Sequence, residues 1–439
     1  MPAWQRDIRT ARRIRSGRHS TPRKMATCHR LMVEPKSLNS PALPDVLLVG
    51  DLLFPQGDAT ANIMRAHCRA IQEAGLRVGV QPRQVAGRPE DLAPDGGYCY
   101  RGIQYWTVYD QRRGTRIRRV LRRHLAYDDG RLSWLRQSRF EGVKAVLVYP
   151  VHCTAFLLRV RRLCRSNRVP VLVFATEWYG LRHCGRSPFS FMAIDDELQL
   201  RFAVPRFDGV ICLSHFLRDY YQSRGCRSVL IPPLVDLSDP RWQACSAPPA
   251  QGSPPPLRLL FNGGAFRDRQ DIILRAVQRL RQRRLDIVLE YLGSSRSTIE
   301  ALPGVGDELL DSLGDGVRFH GRVPPDQVPK IIASASFGVL LREHARWSQA
   351  CFPSKVPEFL ALRVPLLCNL TSDLHDYLQD GVNAIIVADT SVGALCSALE
   401  RAARLTQSQH ATLKENAGIT AQLFDAKRYA QTYRELLSP

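Results

Sequence analysis

The sequence Phe337-Gly-Val-Leu-Leu-Arg342-Glu343 opens the stretch that decides the fold of this chain, and Cys351-Phe-Pro-Ser354-Lys355-Val-Pro-Glu358-Phe-Leu-Ala361 follows it after a polar run. The apolar runs 337–341 and 384–387 are short and bounded by turn residues, which is typical of buried strands. The segment between them predicts a short helix with Ser354 as its N-cap residue and Lys355 in its first turn.

A lysine is an unusual residue for that first turn. A cation at the positive end of the helix dipole is disfavoured by about 0.3–1 kcal/mol. An ammonium group beside unpaired N–H groups, however, makes a binding site for an anion such as a phosphate or diphosphate. Glu358 lies on the same helical face and fits such a site if it accepts hydrogen bonds from hydroxyls, such as those of a ribose. The helix alone leaves a second interpretation open, a solvated Lys–Glu pair on the protein surface.

The whole stretch resembles the donor-binding segment of the retaining glycosyltransferases of family four, the glycosyl transferases group 1. That resemblance implies an α/β protein with the GT-B fold, in which two Rossmann-like β/α/β domains face each other across a cleft. It also implies that Glu358 is the second glutamate of the Glu-x7-Glu motif, which holds the donor ribose, and that Lys355 lies near the donor phosphates and sugar. Ala350 stands where the family has the first glutamate. Arg342 and Glu343 are predicted to compensate in part.

The composition excludes several other classes of protein. The chain has 439 residues, which is enough for two domains, and 44% of them are apolar, as in an ordinary globular protein. Twelve cysteines without a Cys-x-x-Cys pair argue against a disulfide framework and a zinc site. No apolar run reaches about 18 residues, so we expect no transmembrane helix. The net charge of +21 favours anionic partners, but motifs for nucleic-acid binding are lacking, so nucleic acid is not expected.

Residues 1–36 contain ten lysines and arginines against Asp7 and Glu34, and no apolar core of a secretory signal. Three interpretations stay open: a polybasic tail that contacts membrane phospholipid, a transit-like segment, or translation from an upstream start, with Met25 or Met32 as the true beginning. The predicted organisation is a basic disordered tail at 1–43, an acceptor domain at 44–238, a linker at 239–256 and a donor-nucleotide domain at 257–418. The resemblance implies that the last helix, 419–439, crosses back to the first domain.

The first domain opens as a βαβ unit, with strands at 44–50 and 76–80 and a helix at 59–74 between them. The resemblance implies that Gly57, in the loop before this helix, lets the backbone approach the donor phosphates. A strand is predicted at 100–108, and the arginine-dense segment 112–123 predicts a helix. Its basic face is either solvated or docks on an anionic membrane or a lipid-linked acceptor.

His152 and Glu177 follow the predicted strands 145–149 and 169–174. The carboxyl ends of parallel strands form the ligand-binding edge of a doubly wound sheet, so these two residues are the catalytic candidates. Each of them also fits a purely structural role. The segments 207–214 and 229–236, with Ser214 as a helix N-cap, resemble the end of the family's first domain.

The second domain begins with a strand at 257–262 that ends in Gly263 and Gly264. These glycines permit close approach of a phosphate, and Arg267 or Arg269 is predicted to neutralise it. The segment 317–323, with Gly321 and Arg322, resembles the family's Val-x-Phe-x-Gly-x-Val, whose backbone contacts the nucleobase.

The predicted function is that of a retaining hexosyltransferase, which moves a sugar from a nucleoside diphosphate sugar to an acceptor hydroxyl. The chain has no Asp-x-Asp motif, so neither a metal nor another cofactor is expected. The resemblance implies a glycan or lipid-linked acceptor in polysaccharide, lipopolysaccharide or glycolipid synthesis, in the cytoplasm or at the inner face of an anionic membrane. Two alternatives remain: a nucleotide-sugar 2-epimerase, and a degenerate protein that binds nucleotide sugar as a scaffold.

Overall fold

The structure of the protein is a computed structural model that describes residues 43–57, 59–83, 87–93, 97–106, 125–126, 129–138, 140–149, 153–179, 191–243 and 256–438. The predicted basic tail, the predicted helix at 112–123, most of the linker and the catalytic candidate His152 lie outside these ranges.

The first sheet has the strand order β3-β4-β2-β1-β5-β6-β7-β8 and is parallel apart from its β3–β4 edge. Short apolar runs rich in Val and Leu, with all residues buried, form the central strands, as expected for a sheet covered on both faces. Its strands are β1 Val46–Val49, β2 Val78–Gln81, β3 Tyr98–Tyr100, β4 Ile103–Tyr105, β5 Ala145–Val148, β6 Val171–Ala175, β7 Gly209–Cys212 and β8 Ser228–Leu230.

The second sheet is parallel throughout and has the order β11-β10-β9-β12-β13-β14. This is the doubly wound order, with the switch point between β9 and β12, so the predicted α/β class with two parallel-sheet domains is confirmed. Its strands are β9 Leu257–Asn262, β10 Ile287–Leu292, β11 Val317–Gly321, β12 Phe337–Leu340, β13 Leu366–Cys368 and β14 Ala384–Ile386.

Helices connect these strands on both sheet faces. In the first domain they are α1 Ala59–Glu73, α2 Gly130–Gln137, α3 Thr154–Ser166, α4 Phe191–Leu198, which continues as a π-helical turn at Gln199–Ala203, and α5 His215–Gln222. In the second they are α6 Gln270–Gln282, α7 Arg296–Glu300, α8 Gly306–Leu313, α9 Val328–Ala333, α10 Arg346–Ala350, α11 Lys355–Ala361, α12 Val392–Ala403, α13 Gln407–Ala421 and α14 Ala430–Leu437. None of the helices that the structure describes combines the length and apolarity that spanning a membrane requires.

Two elements differ from the sequence-based prediction. The single strand predicted at 100–108 is wrong, because Arg101 and Gly102 adopt positive φ values and turn the chain into the antiparallel hairpin β3–β4. The predicted terminal helix is interrupted by the 3₁₀ turns Gln422–Phe424 and Ala426–Tyr429. Between them Asp425, in extended conformation, bridges to Val235, which ties the break to the first domain.

The chain end packs on the first domain. Tyr433 and Leu436 lie in the same apolar cluster as β1, β2 and α1. The Tyr433 hydroxyl is 2.7 Å from Nδ1 of the fully buried His67, and burial lowers the pKa of that imidazole to about 3. The neutral ring therefore lies in the core between α1 and α14.

Tyr433→Phe is expected to lower the free energy of unfolding by about 1 kcal/mol, because it leaves a buried imidazole nitrogen without its partner. Urea denaturation checks this value. Tyr220→Phe is the matched control, since the buried Tyr220 hydroxyl has no hydrogen-bond partner among the described residues. Equal midpoints for the two variants would contradict the stabilising role of the Tyr433–His67 bond.

Candidate functional site

The two domains meet through residues that follow the carboxyl ends of strands or begin helices. Ser214, after β7, donates to the Ala350 carbonyl oxygen at 2.8 Å and caps α5 through the Leu217 N–H, as predicted for its N-cap role. The next residue, His215, donates its backbone N–H to Asp373 at 2.8 Å. These contacts place the β7 end of the first sheet against α10 and the segment after β13 of the second domain.

Lys355 lies in the second domain, beside the end of β9. It is the first residue of α11, and its ammonium lies 4.1 Å from the centre of the Phe261 ring, a cation–π contact. Burial lowers the pKa of this ammonium to about 8, an effect that the Asp268 carboxylate opposes. Within the described residues it makes no hydrogen bond or ion pair, so its charge is available to a ligand.

Glycines stand at the ends of three neighbouring strands, and the first of them, Gly263, lies beside this lysine. Gly263, after β9, has a φ of 93°, and a Cβ there would lie 3.1 Å from Lys355 Cε. Its Cα lies 3.3 Å from the Cβ that Gly293 would carry, and Gly293 donates its N–H to the Gly321 carbonyl at 2.8 Å. The ends of β9, β10 and β11 therefore converge as an uncrowded backbone cradle, as required where a ligand approaches main chain.

Glu358 is buried on α11, and its carboxylate accepts hydrogen bonds from two side-chain amides. It accepts from Asn62 Nδ2 of the first domain at 2.6 Å and from Asn262 Nδ2 at 3.4 Å. Burial raises the pKa of its carboxyl, while the Asn62 hydrogen bond and the charges of Lys355 and Arg65 oppose this rise. This carboxylate thus accepts hydrogen bonds from neutral donors, which is the chemistry expected of a group that binds hydroxyls.

The structure distinguishes Arg267 from Arg269, which the sequence left as equal candidates for neutralising the phosphate. Arg269 forms a bidentate pair with Asp271, at 2.9 and 2.8 Å, and contacts Glu343 at 3.3 Å. Arg267 instead reaches the first domain, where its Nη2 lies 3.3 Å from Glu177 and its guanidinium stacks on Tyr179 at 4.8 Å. Arg267 is the one of the two that lies at the junction.

Arg342 and Glu343, which were predicted to compensate in part for the missing glutamate, lie in different environments. Arg342 is buried: its Nη1 donates to the Cys351 carbonyl at 3.0 Å, and its Nε lies 3.5 Å from Asp268. Glu343 is exposed and pairs with Arg269. Ala350 itself packs into the apolar cluster of the first domain, so its position serves contact between the domains.

Three further predicted residues lie close to the cradle or at its edge. Gly264 follows Gly263, and Arg322 is exposed after β11. Ser354 precedes α11, but the prediction that its side chain caps the helix is wrong, because the side chain makes no capping hydrogen bond. The chain enters α11 through a turn in which the Val356 N–H donates to the Pro353 carbonyl at 3.0 Å, so this N–H needs no cap. Gly57, before α1, is exposed and packs against Leu53.

A cavity of about 180 Å³ lies in the first domain next to Glu177. Its wall is formed by residues after β1, β5 and β6 and by the inner side of α4 and its π turn, and it includes Asp51, Tyr149, Glu177, Tyr179, Asp196 and Gln199. The Tyr179 hydroxyl donates to Glu177, and burial raises the pKa of that phenol. The Gln199 amide oxygen is buried with no hydrogen-bond partner among the described residues. The described lining holds three carboxylates and no lysine or arginine, so it suits an uncharged group that donates hydrogen bonds.

Sequence reasoning missed Asn62 and Asp268. Asparagine is a poor residue for the interior of a helix such as α1, and that misfit was the available signal for Asn62. Asp268 is buried and lies between two predicted arginines in the sequence, which hid its role as a partner of Arg342.

Residues 256–404 match the family model described as glycosyl transferases group 1. No curated protein sequence matches the chain significantly.

Solved structures share the architecture at low sequence identity. Sucrose-phosphate synthase from Thermosynechococcus elongatus superposes with a TM-score of 0.64 at 16% identity, covering 89% of this chain and 98% of that one. Anabaena HepE in complex with UDP-glucose gives 0.58 at 15%, covering 89% and 99%. The α,α-trehalose 6-phosphate synthase from Burkholderia multivorans gives 0.61 at 12%, covering 90% and 98%.

These solved structures show the fold, and the family model matches the second domain. The chain has the GT-B fold, and its residues 256–404 match the model of the glycosyl transferases group 1.

Proposed function

We propose that this protein transfers a sugar from a nucleoside diphosphate sugar to an acceptor hydroxyl with retention of configuration. The observation that carries the proposal is the position of Lys355. Within the described residues this ammonium forms no hydrogen bond or ion pair, and it lies beside the glycine cradle in the domain that matches a glycosyltransferase family model. The complex of HepE with UDP-glucose supports the class of donor.

The donor diphosphate would lie against Gly263 and the Lys355 ammonium, with Arg267 at the side of the first domain. These cations would stabilise the charge that develops on the leaving diphosphate. Glu358 would accept hydrogen bonds from the ribose hydroxyls. The amide of Asn62 now occupies this acceptor, so the ribose would take over that hydrogen bond.

The acceptor hydroxyl would come from the cavity of the first domain. Glu177 lines this cavity and contacts Arg267, so it joins the acceptor side to the donor side. The bond from the anomeric carbon to the diphosphate breaks, the bond to the acceptor oxygen forms on the same face, and Glu177 is the candidate that accepts the hydroxyl proton. We place the acceptor among glycans or glycolipids, and His152 remains a second candidate for catalysis.

One observation favours a second candidate function. The family's first glutamate is replaced by Ala350, whose carbonyl and side chain are both used for contact with the first domain. A chain that lacks this group and keeps the cradle could bind nucleotide sugar without transferring it, as a scaffold. A nucleotide-sugar 2-epimerase is a third outcome that the same assay recognises.

The test is release of UDP or GDP from a panel of nucleotide sugars, each with and without a panel of glycan and glycolipid acceptors. Release that depends on an acceptor, with a product of unchanged anomeric configuration by NMR, supports the proposal. Binding without release identifies a scaffold, and interconversion of the donor sugar without an acceptor identifies an epimerase. Either of these two results overturns the proposed transfer.

Binding of UDP is expected to weaken several-fold between pH 7 and pH 9, because Lys355, with a pKa of about 8, is charged below that pH and neutral above it. Stability should change in the opposite direction. The folded-state pKa is lower than the unfolded value, so the unfolded chain binds more protons between pH 8 and pH 10.5 and stability rises with pH there.

Calorimetric titration at a series of pH values measures this profile, and Lys355→Ala should give a flat one. Weakened binding together with lowered stability at pH 9 would contradict the assignment to Lys355 and point to partial unfolding.

A further inference from the structure

Helix α4 and its π turn expose apolar residues on their outer side. Ile194, Leu198 and Phe202 are 43%, 43% and 54% exposed, at intervals of four residues, and Phe191 at the helix start is 77% exposed. A surface helix normally presents charged and polar residues to solvent, and a cluster of exposed large apolar side chains marks an interaction site.

This stripe is not the core-facing side of α4, because the opposite side of the helix is buried in the protein. Ala193, Asp196, Gln199, Leu200 and Ala203 are buried, and three of them line the cavity of the first domain. The helix therefore already has a packed side, and the stripe lies opposite to it.

The acidic residues of α4 are engaged with the protein. The Asp195 carboxylate accepts the Thr154 N–H at the start of α3, at 3.1 Å. Glu197 accepts from Trp178 Nε1 at 3.1 Å, lies 2.7 Å from Arg201 Nε, and is 3.3 Å from Arg346. Arg201 and Arg346 share the Glu197 carboxylate, so the described residues beside the stripe carry an excess of positive charge.

Further arginines border the stripe. Arg206 donates to the Phe202 carbonyl, and Arg161 of α3 donates to the Arg206 carbonyl. Helix α3, which packs against the π turn, carries four arginines and no acidic residue. We call the stripe of Phe191, Ile194, Leu198 and Phe202, together with Arg161, Arg201 and Arg206, the 191–206 surface.

We propose that the 191–206 surface docks on a bilayer that contains anionic phospholipid. Apolar side chains on one side of a helix enter the boundary between head groups and acyl chains, and bordering arginines pair with lipid phosphates. The long arginine side chains keep their charge at head-group level while their methylene groups cover apolar surface. This combination of apolar stripe and basic border fits a lipid surface better than a protein partner, whose recognition at this place would need complementary acidic side chains.

The cavity lies on the other side of the same helix, so docking would hold it next to the membrane. An acceptor anchored in the lipid would then reach Glu177 without leaving the bilayer. This second step rests on the proposed transfer, whereas docking itself is measured without any sugar substrate, so the two can fail separately.

The test is co-sedimentation of the full chain with phosphatidylcholine vesicles with and without phosphatidylglycerol. We expect Leu198→Ser/Phe202→Ser to lower the partition coefficient on anionic vesicles at least tenfold, and Arg206→Gln to lower it about fivefold at low salt. The control Ile419→Ser removes a side chain that is 62% exposed on α13 and should leave partition unchanged. All of these variants keep residues 1–36, so any lipid binding by that basic segment is common to them.

A second measurement places a fluorescent side chain on the 191–206 surface. Tryptophan fluorescence of Phe202→Trp should shift to shorter wavelength on anionic vesicles and be quenched by brominated acyl chains. Equal partition of the serine variant and the parent, or no quenching by brominated lipid, overturns the proposal. A dimer that becomes monomeric in the serine variant also overturns it, because the surface then covers a second copy of the chain.

Discussion

Replacing Lys355 with alanine is expected to weaken binding of UDP, and of the matching nucleotide sugar, more than tenfold. The ammonium is the charge nearest the Gly263 cradle, and it has no anionic hydrogen-bond partner within the described residues. A hydrogen bond to a charged group contributes about 1.5–3 kcal/mol, and a factor of ten in affinity corresponds to about 1.4 kcal/mol. Loss of this one group therefore accounts for the expected change.

Stability separates this effect from a folding defect. Burial already lowers the pKa of Lys355, which means that the folded protein holds the charge at a cost, so its removal should leave the urea midpoint near that of the parent. Lys330→Ala, on the exposed side of α9 in the same domain, is the matched control and should bind UDP normally. Normal UDP affinity in the Lys355 variant would remove this residue from the donor site.

The architecture was predictable because it depends on patterns that are local in sequence. Runs such as Val46–Val49 and Phe337–Leu340 are short, apolar and bounded by turn residues, and the doubly wound arrangement follows from their alternation with helices. The hairpin β3–β4 was not predictable in this way, since it depends on a positive φ at Arg101, a residue that rarely adopts it.

The donor side of the site was predictable for a related reason. Gly263 and Gly321 end parallel strands, and Lys355 begins the helix after another, so topology alone brings them to one edge. The choice between Arg267 and Arg269 was not predictable, because these residues stand two positions apart in one loop and differ only in which tertiary partner they meet. Arg269 pairs with Asp271, whereas Arg267 pairs with Glu177 of the first domain.

Contacts between the domains were beyond sequence reasoning. Asn62 and Glu358 are separated by 296 residues, and nothing in either local sequence specifies the other. The same holds for Ala350, which looked like a missing catalytic group in the sequence and in the structure lies in the core of the opposite domain.

Replacing Gly263 with alanine is expected to reduce both the stability of the fold and the affinity for UDP. Its φ of 93° lies in a region that residues with a Cβ avoid, at a cost of about 1–3 kcal/mol. In addition, the new methyl group would lie 3.1 Å from Lys355 Cε and 3.5 Å from Nζ, closer than carbon atoms normally approach. The lysine would have to move away from the cradle, so UDP binding should fall more than tenfold.

Gly381→Ala distinguishes these two effects. Gly381 has a φ of 71° in the same domain, but no atom lies within 4 Å of the position of its Cβ. We expect both variants to lower the urea midpoint to a similar extent, because both force alanine into a positive φ, while only Gly263→Ala loses UDP affinity by calorimetry. Combining Gly263→Ala with Lys355→Ala should cost little more affinity than either alone, since both changes act on the same ammonium. Additive losses would instead show that Gly263 contacts the nucleotide independently of Lys355.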